Sequence, residues 1–160
     1  MSLGDHFPKD LQDDYKERAL KVGTVLKLFV NDTTPPKEKR FIIVGFTEDK
    51  FSLASLYINT EVNTNINWSQ EQQALQLELS SNSREYLDWT SYVDCSKFNI
   101  RETQEIKKAI QSRPEAIIGE VSAEDLELII TTIRHASTIN GKYKKRYGIF
   151  NHDFINKLSD

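Results

Sequence analysis

Cysteine is nearly absent from this chain: its 160 residues include one, Cys95, beside only three histidines. A single thiol excludes an internal disulfide framework and any multi-cysteine metal site, and it fits a reducing cytosol. Cys95 lies in the apolar-rich run Tyr92-Val93-Asp94-Cys95, which suits a small core residue better than a nucleophile. The histidines, His6, His135 and His152, are far apart and form no paired metal-ligand motif. His135 stands near a helix end, where its protonated ring would favour the negative pole. Also missing are a phosphate-binding glycine loop and a Gly-x-Ser-x-Gly elbow. No N-terminal leader pattern is present, and no run approaches the roughly 18 apolar residues of a membrane helix. The expectation is a cytoplasmic protein without metal, cofactor or membrane partner.

Acidic pairs such as Asp13 with Asp14 and Glu124 with Asp125 fall on helical patterns and read as solvated faces or caps, which argues against a two-carboxylate hydrolase. The net charge of −3 supplies no global field for gathering nucleic acid. Locally, however, Lys142, Lys144, Lys145 and Arg146 are interleaved with Tyr143 and Tyr147. That mixture suits phosphate contact with base stacking, or equally a solvated terminal segment that complements the preceding helix end.

A chain of this length can bury roughly two thirds of its unfolded surface, enough for one core without staples. The domain is expected over residues 8–150. Residues 1–7 read as a disordered or frayed N-terminus or a cloning remnant, and 151–160 as a C-terminal tail. Leu11, Tyr15, Ala19 and Val22, preceded by Pro8 and followed by Gly23, predict a short N-terminal helix. Thr24 to Val30 is β-rich and is stopped by the polar loop Asn31 to Pro36. Arg40 to Phe46 and Phe51 to Ile58 predict an antiparallel hairpin about Thr47-Glu48-Asp49-Lys50, the first run apolar enough to be buried on both faces. Leu75, Leu77 and Leu79 alternate with polar residues as in a half-wet strand, and Ser91 to Cys95 supplies a fifth. Asn59 to Gln73 is a long polar loop. Ile106, Ala109 and Ile110 mark a short helix, and Leu126, Ile129, Ile130 and Ile133 a longer one that Gly141 would stop. Strands followed by helices predict an α+β, mainly β domain: a small antiparallel barrel or strongly bent sheet with C-terminal helices and the short N-terminal one. Trp68, Tyr86 and Trp89 fit either its core or an exposed stacking surface.

The most informative stretch is Ile117-Ile118-Gly119-Glu120-Val121-Ser122-Ala123-Glu124-Asp125-Leu126. It joins an extended run and a turn to a helix start in which Ser122 caps, Asp125 returns the bond, and Val121 and Leu126 form a hydrophobic staple. Together with the glycine before the first strand, the basic opening of the second and Val93-Asp94, this segment resembles the PemK/MazF-like toxins of bacterial toxin–antitoxin systems, over roughly Val22 to Ser137. The resemblance implies an SH3-like barrel, a homodimer, metal-independent cleavage of single-stranded RNA, and restraint by an antitoxin-like protein or peptide. It assigns phosphate handling to Arg40, within Lys39-Arg40-Phe41-Ile42-Ile43-Val44, and the polar catalytic position to Thr60, less directly to Asn59; Lys39 and Asn59 beside them, and on their own basic and aromatic mixture Lys142, Lys144, Lys145 and Arg146, are the substrate-binding candidates. Cleavage through the neighbouring 2′-hydroxyl needs only a proton acceptor, a proton donor and cationic support, for which an arginine fork is suited. Arg40 as an edge guard and Thr60 as a loop cap are the plainer alternatives. The competing expectation is a catalytically inactive, phage- or mobile-element-associated module of this fold that holds a peptide or protein.

Overall fold

Seven antiparallel strands form one sheet in the computed structural model, which describes residues 20–33, 35–61 and 70–152. The expected N-terminal helix and frayed end up to residue 19, the centre of the polar loop with Trp68, and residues 153–160 of the tail lie outside the described residues. The strands are β1 (Thr24–Val30), β2 (Lys37–Phe46), β3 (Ser52–Asn59), β4 (Gln76–Leu79), β5 (Ser91–Asp94), β6 (Asn99–Glu102) and β7 (Ile117–Glu120). Their order is β4-β5-β3-β2-β1-β7. β3 pairs with β6 along its first half and with β5 along its last two residues. One strand edge shared by two partners, with register shifts at Ile43/Gly45 and Val25/Leu26, gives a curled sheet of half-barrel form.

The β2–β3 hairpin is the one expected from sequence. Its turn closes through Thr47 N–H to Ser52 O (2.9 Å) and Lys50 N–H to Thr47 O (2.9 Å). Phe41 to Gly45 are buried without a break, because helices cover both faces of the sheet. On one face Ile42, Val44, Leu56 and Ile58 pack with Ile129, Ile130 and Ile133 of the helix α3 (Ala123–His135). On the other, Phe41, Ile43 and Leu53 pack with Ile106 and Ile110 of α2 (Thr103–Ser112). Each such side chain contributes about 1.5–3 kcal/mol by leaving water. Cys95 is fully buried in the first of these cores, and burial pushes its thiol pKa up, which leaves it unreactive.

The start of α3 follows the sequence reading only in part. Ser122 Oγ accepts from Asp125 N–H at 3.1 Å, and Val121 and Leu126 join the same core. Asp125, however, gives both carboxylate oxygens to Arg84, whose Nε and terminal nitrogen donate at 2.8 and 2.9 Å. A fork this regular ties the 80–90 loop to the helix. At its other end α3 stops at His135, and Gly141 instead opens a further helix, α4 (Gly141–Arg146), capped by Asn140 Oδ1 on Lys142 N–H (2.8 Å). Glycine after a polar cap residue serves a helix start as well as an end, and the asparagine decides between them. Two strands beyond the expected five are short: β6 carries Asn99, Arg101 and Glu102 and shows little apolar alternation, and β7 is the extended run before Ser122. Within the polar loop, Gln70–Ala74 forms the short helix α1. Among the described residues no helix is long and apolar enough to cross a membrane.

Two glycines carry specific demands. Gly23 enters β1 with φ +97°, and its N–H donates to Ile43 O (2.7 Å) while its carbonyl accepts from Val121 N–H (2.9 Å). Gly45 lies against the backbone of Tyr147: a Cβ there would stand 2.1 Å from the Tyr147 carbonyl oxygen. The segment after α4 docks on β2 only because that position has no side chain. Gly45→Ala is therefore expected to cost about 1–3 kcal/mol, as overpacking does. Urea denaturation checks this, and an unchanged midpoint would remove the close approach from the account.

Candidate functional site

β2 begins, and β1 and β3 finish, at the same end of the sheet, and four of the eight candidate residues, Lys39, Arg40, Asn59 and Thr60, gather there. Strand alternation divides them. Arg40 has the parity of Ile42 and Val44 and belongs to the α3 face, whereas Lys39 has the parity of Phe41 and Ile43 and belongs to the α2 face. Neighbours in sequence, the two cations serve opposite surfaces.

On the α3 face, Arg40 is mostly buried and donates to Asp88 Oδ2 at 2.7 Å. Its Nε is buried with no hydrogen-bond partner. Trp89, next to Asp88, is exposed, whereas Tyr86 is core. Thr60 follows β3 in an exposed bend. The structure gives no bond between Arg40 and Thr60.

The α2 face is better furnished. Lys39 Nζ donates to Asn59 Oδ1, and it also stands 5.1 Å from the centre of the Tyr57 ring. The Arg101 guanidinium, from β6, lies 5.4 Å from the Phe41 ring centre and 5.7 Å from that of Tyr57. Two cations thus share one aromatic ring, whose face attracts both. The Tyr57 hydroxyl donates to Asp32 Oδ1 at 2.5 Å and receives Arg101 at 2.5 Å, and Arg101 also reaches Asp32 Oδ2 at 3.2 Å. Arg101 Nε is buried and unpartnered. Asp32 is the most accessible member, its side chain 50% exposed where β1 has passed into the loop.

Charge follows from these contacts. Burial lowers the Lys39 pKa, and the neighbouring Lys37 lowers it further; Asp94 and Asp32 act in the opposite direction but do not restore it. Burial works against the Asp32 carboxylate, yet the hydrogen bond from Tyr57 and the charge of Arg101 outweigh it and hold the pKa below the usual value. Burial and the bond to Asp32 push the Tyr57 phenol up to about 12. At neutral pH the group is a cationic pair, a neutral phenol donor and an ionised carboxylate. Such a set can bind a phosphate and can accept and return a proton.

Asp94, part of the Val93-Asp94 signal, is buried: its Oδ1 accepts from Ser96 N–H (3.0 Å), Ser96 Oγ (2.5 Å) and Gln76 Nε2 (2.8 Å). It braces the β4–β5 pair. Lys144 is buried as well, and its ammonium donates to the Arg134 and Ala136 carbonyls (3.2 and 2.7 Å) at the end of α3. The structure therefore separates Lys144 from the other basic residues of α4 and makes it a helix cap. Lys142, Lys145 and Arg146 line a groove beside the β2–β3 turn, at the other end of β2 from Lys39. Among the described residues no cluster of three or more His, Cys, Asp or Glu side chains could hold a metal ion.

Sequence reasoning found Lys39 and Asn59 but not Asp32, Tyr57 or Arg101. Asp32 sat in what read as a plain polar loop, Tyr57 in an apolar strand, and Arg101 on a strand whose pattern gave no sign of itself. Their meeting depends on the pairing of Leu53 with Arg101 and on the end of β1 standing beside β3, neither of which has a local signal.

A phenol pKa raised on folding favours the protonated form, so its contribution to stability is complete below the unfolded value near 10 and is lost as pH rises toward about 12. Phenolate absorbance should accordingly contain a late component with its midpoint near pH 12 that Tyr57→Phe removes; a titration unchanged by that substitution would contradict the Asp32–Tyr57 bond. No protein-family model matches the chain, and no curated protein matches its sequence.

Proposed function

We propose that this protein is a PemK/MazF-like endoribonuclease that cuts single-stranded RNA without a metal, and that the cut is made on the α2 face by Lys39, Arg101, Tyr57 and Asp32. The curled antiparallel sheet is read as the SH3-like barrel of that family, acting in the cytoplasm as a homodimer under the restraint of an antitoxin-like protein or peptide. One observation supports the placement above the rest: two cations are held over the Tyr57 ring beside a half-exposed, ionised carboxylate.

In this reading Arg101 binds the non-bridging oxygens of the scissile phosphate and offsets the charge that grows on the phosphorane, while Tyr57, whose one O–H donates to Asp32, holds that carboxylate in place. Asp32 takes the proton of the 2′-hydroxyl, whose oxygen bonds to phosphorus. Lys39, a stronger acid than a free lysine because of its burial, gives a proton to the departing 5′-oxygen as that P–O bond breaks. The products are a 2′,3′-cyclic phosphate and a 5′-hydroxyl. Asn59 orients Lys39.

Arg40 and Thr60 remain the residues that the family resemblance favours. A second reading, an inactive module of the same fold that holds a peptide, is favoured by the Arg40 guanidinium being already paired with Asp88 beside the exposed Trp89.

The test is incubation with a long single-stranded RNA in excess chelator, with cut ends mapped. The parent should cut at defined sites, and Lys39→Ala and Asp32→Asn should each slow cutting by about 100-fold or more. Arg40→Ala should keep most of the activity. Loss in Arg40→Ala with full activity in Lys39→Ala would move the centre to the α3 face, and no cutting by the folded parent would favour the binding module.

A further inference from the structure

Several basic side chains of this protein are matched to acids. Lys21 pairs with Glu120, Lys27 with Glu38, Arg40 with Asp88, Arg84 with Asp125, and Arg101 with Asp32. The groove beside the β2–β3 turn gathers four that have no such partner among the described residues. It has a volume of about 870 Å³ and is walled by Lys50 and Phe46 on one side and by Lys142, Lys145 and Arg146 of α4 on the other. None of these four cations has a carboxylate within ion-pair distance among the described residues, although Glu48 also lines the groove. Lys50 stands 5.8 Å from the centre of the partly buried Phe46 ring in the groove wall, and Arg146 lies 5.9 Å from the ring centre of Tyr143, an exposed residue that lines a separate hollow with Lys97 and Phe98.

Cations with no carboxylate partner among the described residues repel one another unless an anion joins them, and a row of cations with one ring in the groove wall and another beside Arg146 matches a single strand's phosphates and bases. Lys144 sharpens the point. It is withdrawn into the protein as a helix cap, so that the lysine and arginine charges left on α4 are those facing the groove.

We propose that this groove binds an extended stretch of single-stranded RNA, as a second contact remote from the Lys39 centre. The inference rests on the RNA reading above and deepens it. Seven residues of β2 separate Lys39 from Phe46, roughly 23 Å at strand rise, so the two contacts would fall on different nucleotides of one strand. The groove holds the substrate and the far end of the sheet cuts it. An acidic peptide would satisfy the charges but would leave the rings without partners.

The experiment measures binding of a labelled single-stranded RNA by fluorescence anisotropy over a series of salt concentrations. It compares the parent, a triple variant K142Q/K145Q/R146Q checked for unchanged melting, and Lys39→Ala. The triple variant should bind on the order of 10- to 100-fold more weakly, with a log–log salt slope shallower by about two, since each phosphate contact on a single strand contributes roughly 0.7. It should still cut a short oligonucleotide, which Lys39→Ala should not. Equal binding by parent and triple variant would overturn the groove while leaving the cleavage reading intact. Groove-dependent binding without any cutting would sustain the groove and sink the cleavage reading. A parent that binds poly-glutamate in preference to RNA, or binds no RNA, would overturn the groove proposal.

Discussion

Everything in this structure depends on a strand that is buried on both sides. Phe41 to Gly45 have no exposed side chain, which requires a helix against each face of the sheet, and α2 and α3 supply them. With both faces occupied, the register of β2 against β1 and β3 cannot slip by one residue without exchanging two complete sets of core side chains. The same constraint brings the C-terminal segment onto Gly45 and the cap of α3 beside Gly23. It also leaves the two ends of β2 as the places where its sequence can turn polar.

The polar ends inherit the strand's geometry. At the start of β2, alternation sends Lys39 to one face and Arg40 to the other, so adjacent cations acquire different surroundings. Arg40 meets a carboxylate and becomes neutralised. Lys39 meets an amide, an aromatic face and further lysines, and keeps a charge that is partly stripped of water. On this face the two cations meet aromatic rings as well as the Asp32 carboxylate, and the proposal above takes it as the reactive one. At the other end of β2 the turn and α4 present four cations with no carboxylate at ion-pair distance among the described residues.

Much of the fold was legible in sequence because its signals are local. Thr24 to Val30, the β2–β3 hairpin and the Ser122 cap follow from β-branched runs, turn residues and spacing, and each is found at or within three residues of its expected place. Where the reading departed, the deciding contact was distant. Asp125 turned to Arg84 because the 80–90 loop crosses the start of α3. Lys144 turned inward because α4 folds back against the carbonyls ending α3, whereas its neighbours point outward. Lys39 and Asn59 were legible as separate binding candidates, and the strand register that pairs them was not. Asp32 and Arg101 were not, since a loop residue and a β6 residue meet over Tyr57 only once the sheet has curled.

The central claim is that the phosphate is taken on the Lys39 face and not on the Arg40 face. The most direct test is to titrate the isotopically labelled protein with a short RNA whose scissile 2′-hydroxyl is replaced by hydrogen, and to follow its backbone and side-chain amide signals. The account predicts shifts concentrated at Asp32, Tyr57, Asn59 and Arg101, with Asp88 and Trp89 unmoved. Shifts centred on Asp88, Trp89 and Arg40, with the Tyr57 group silent, would contradict it.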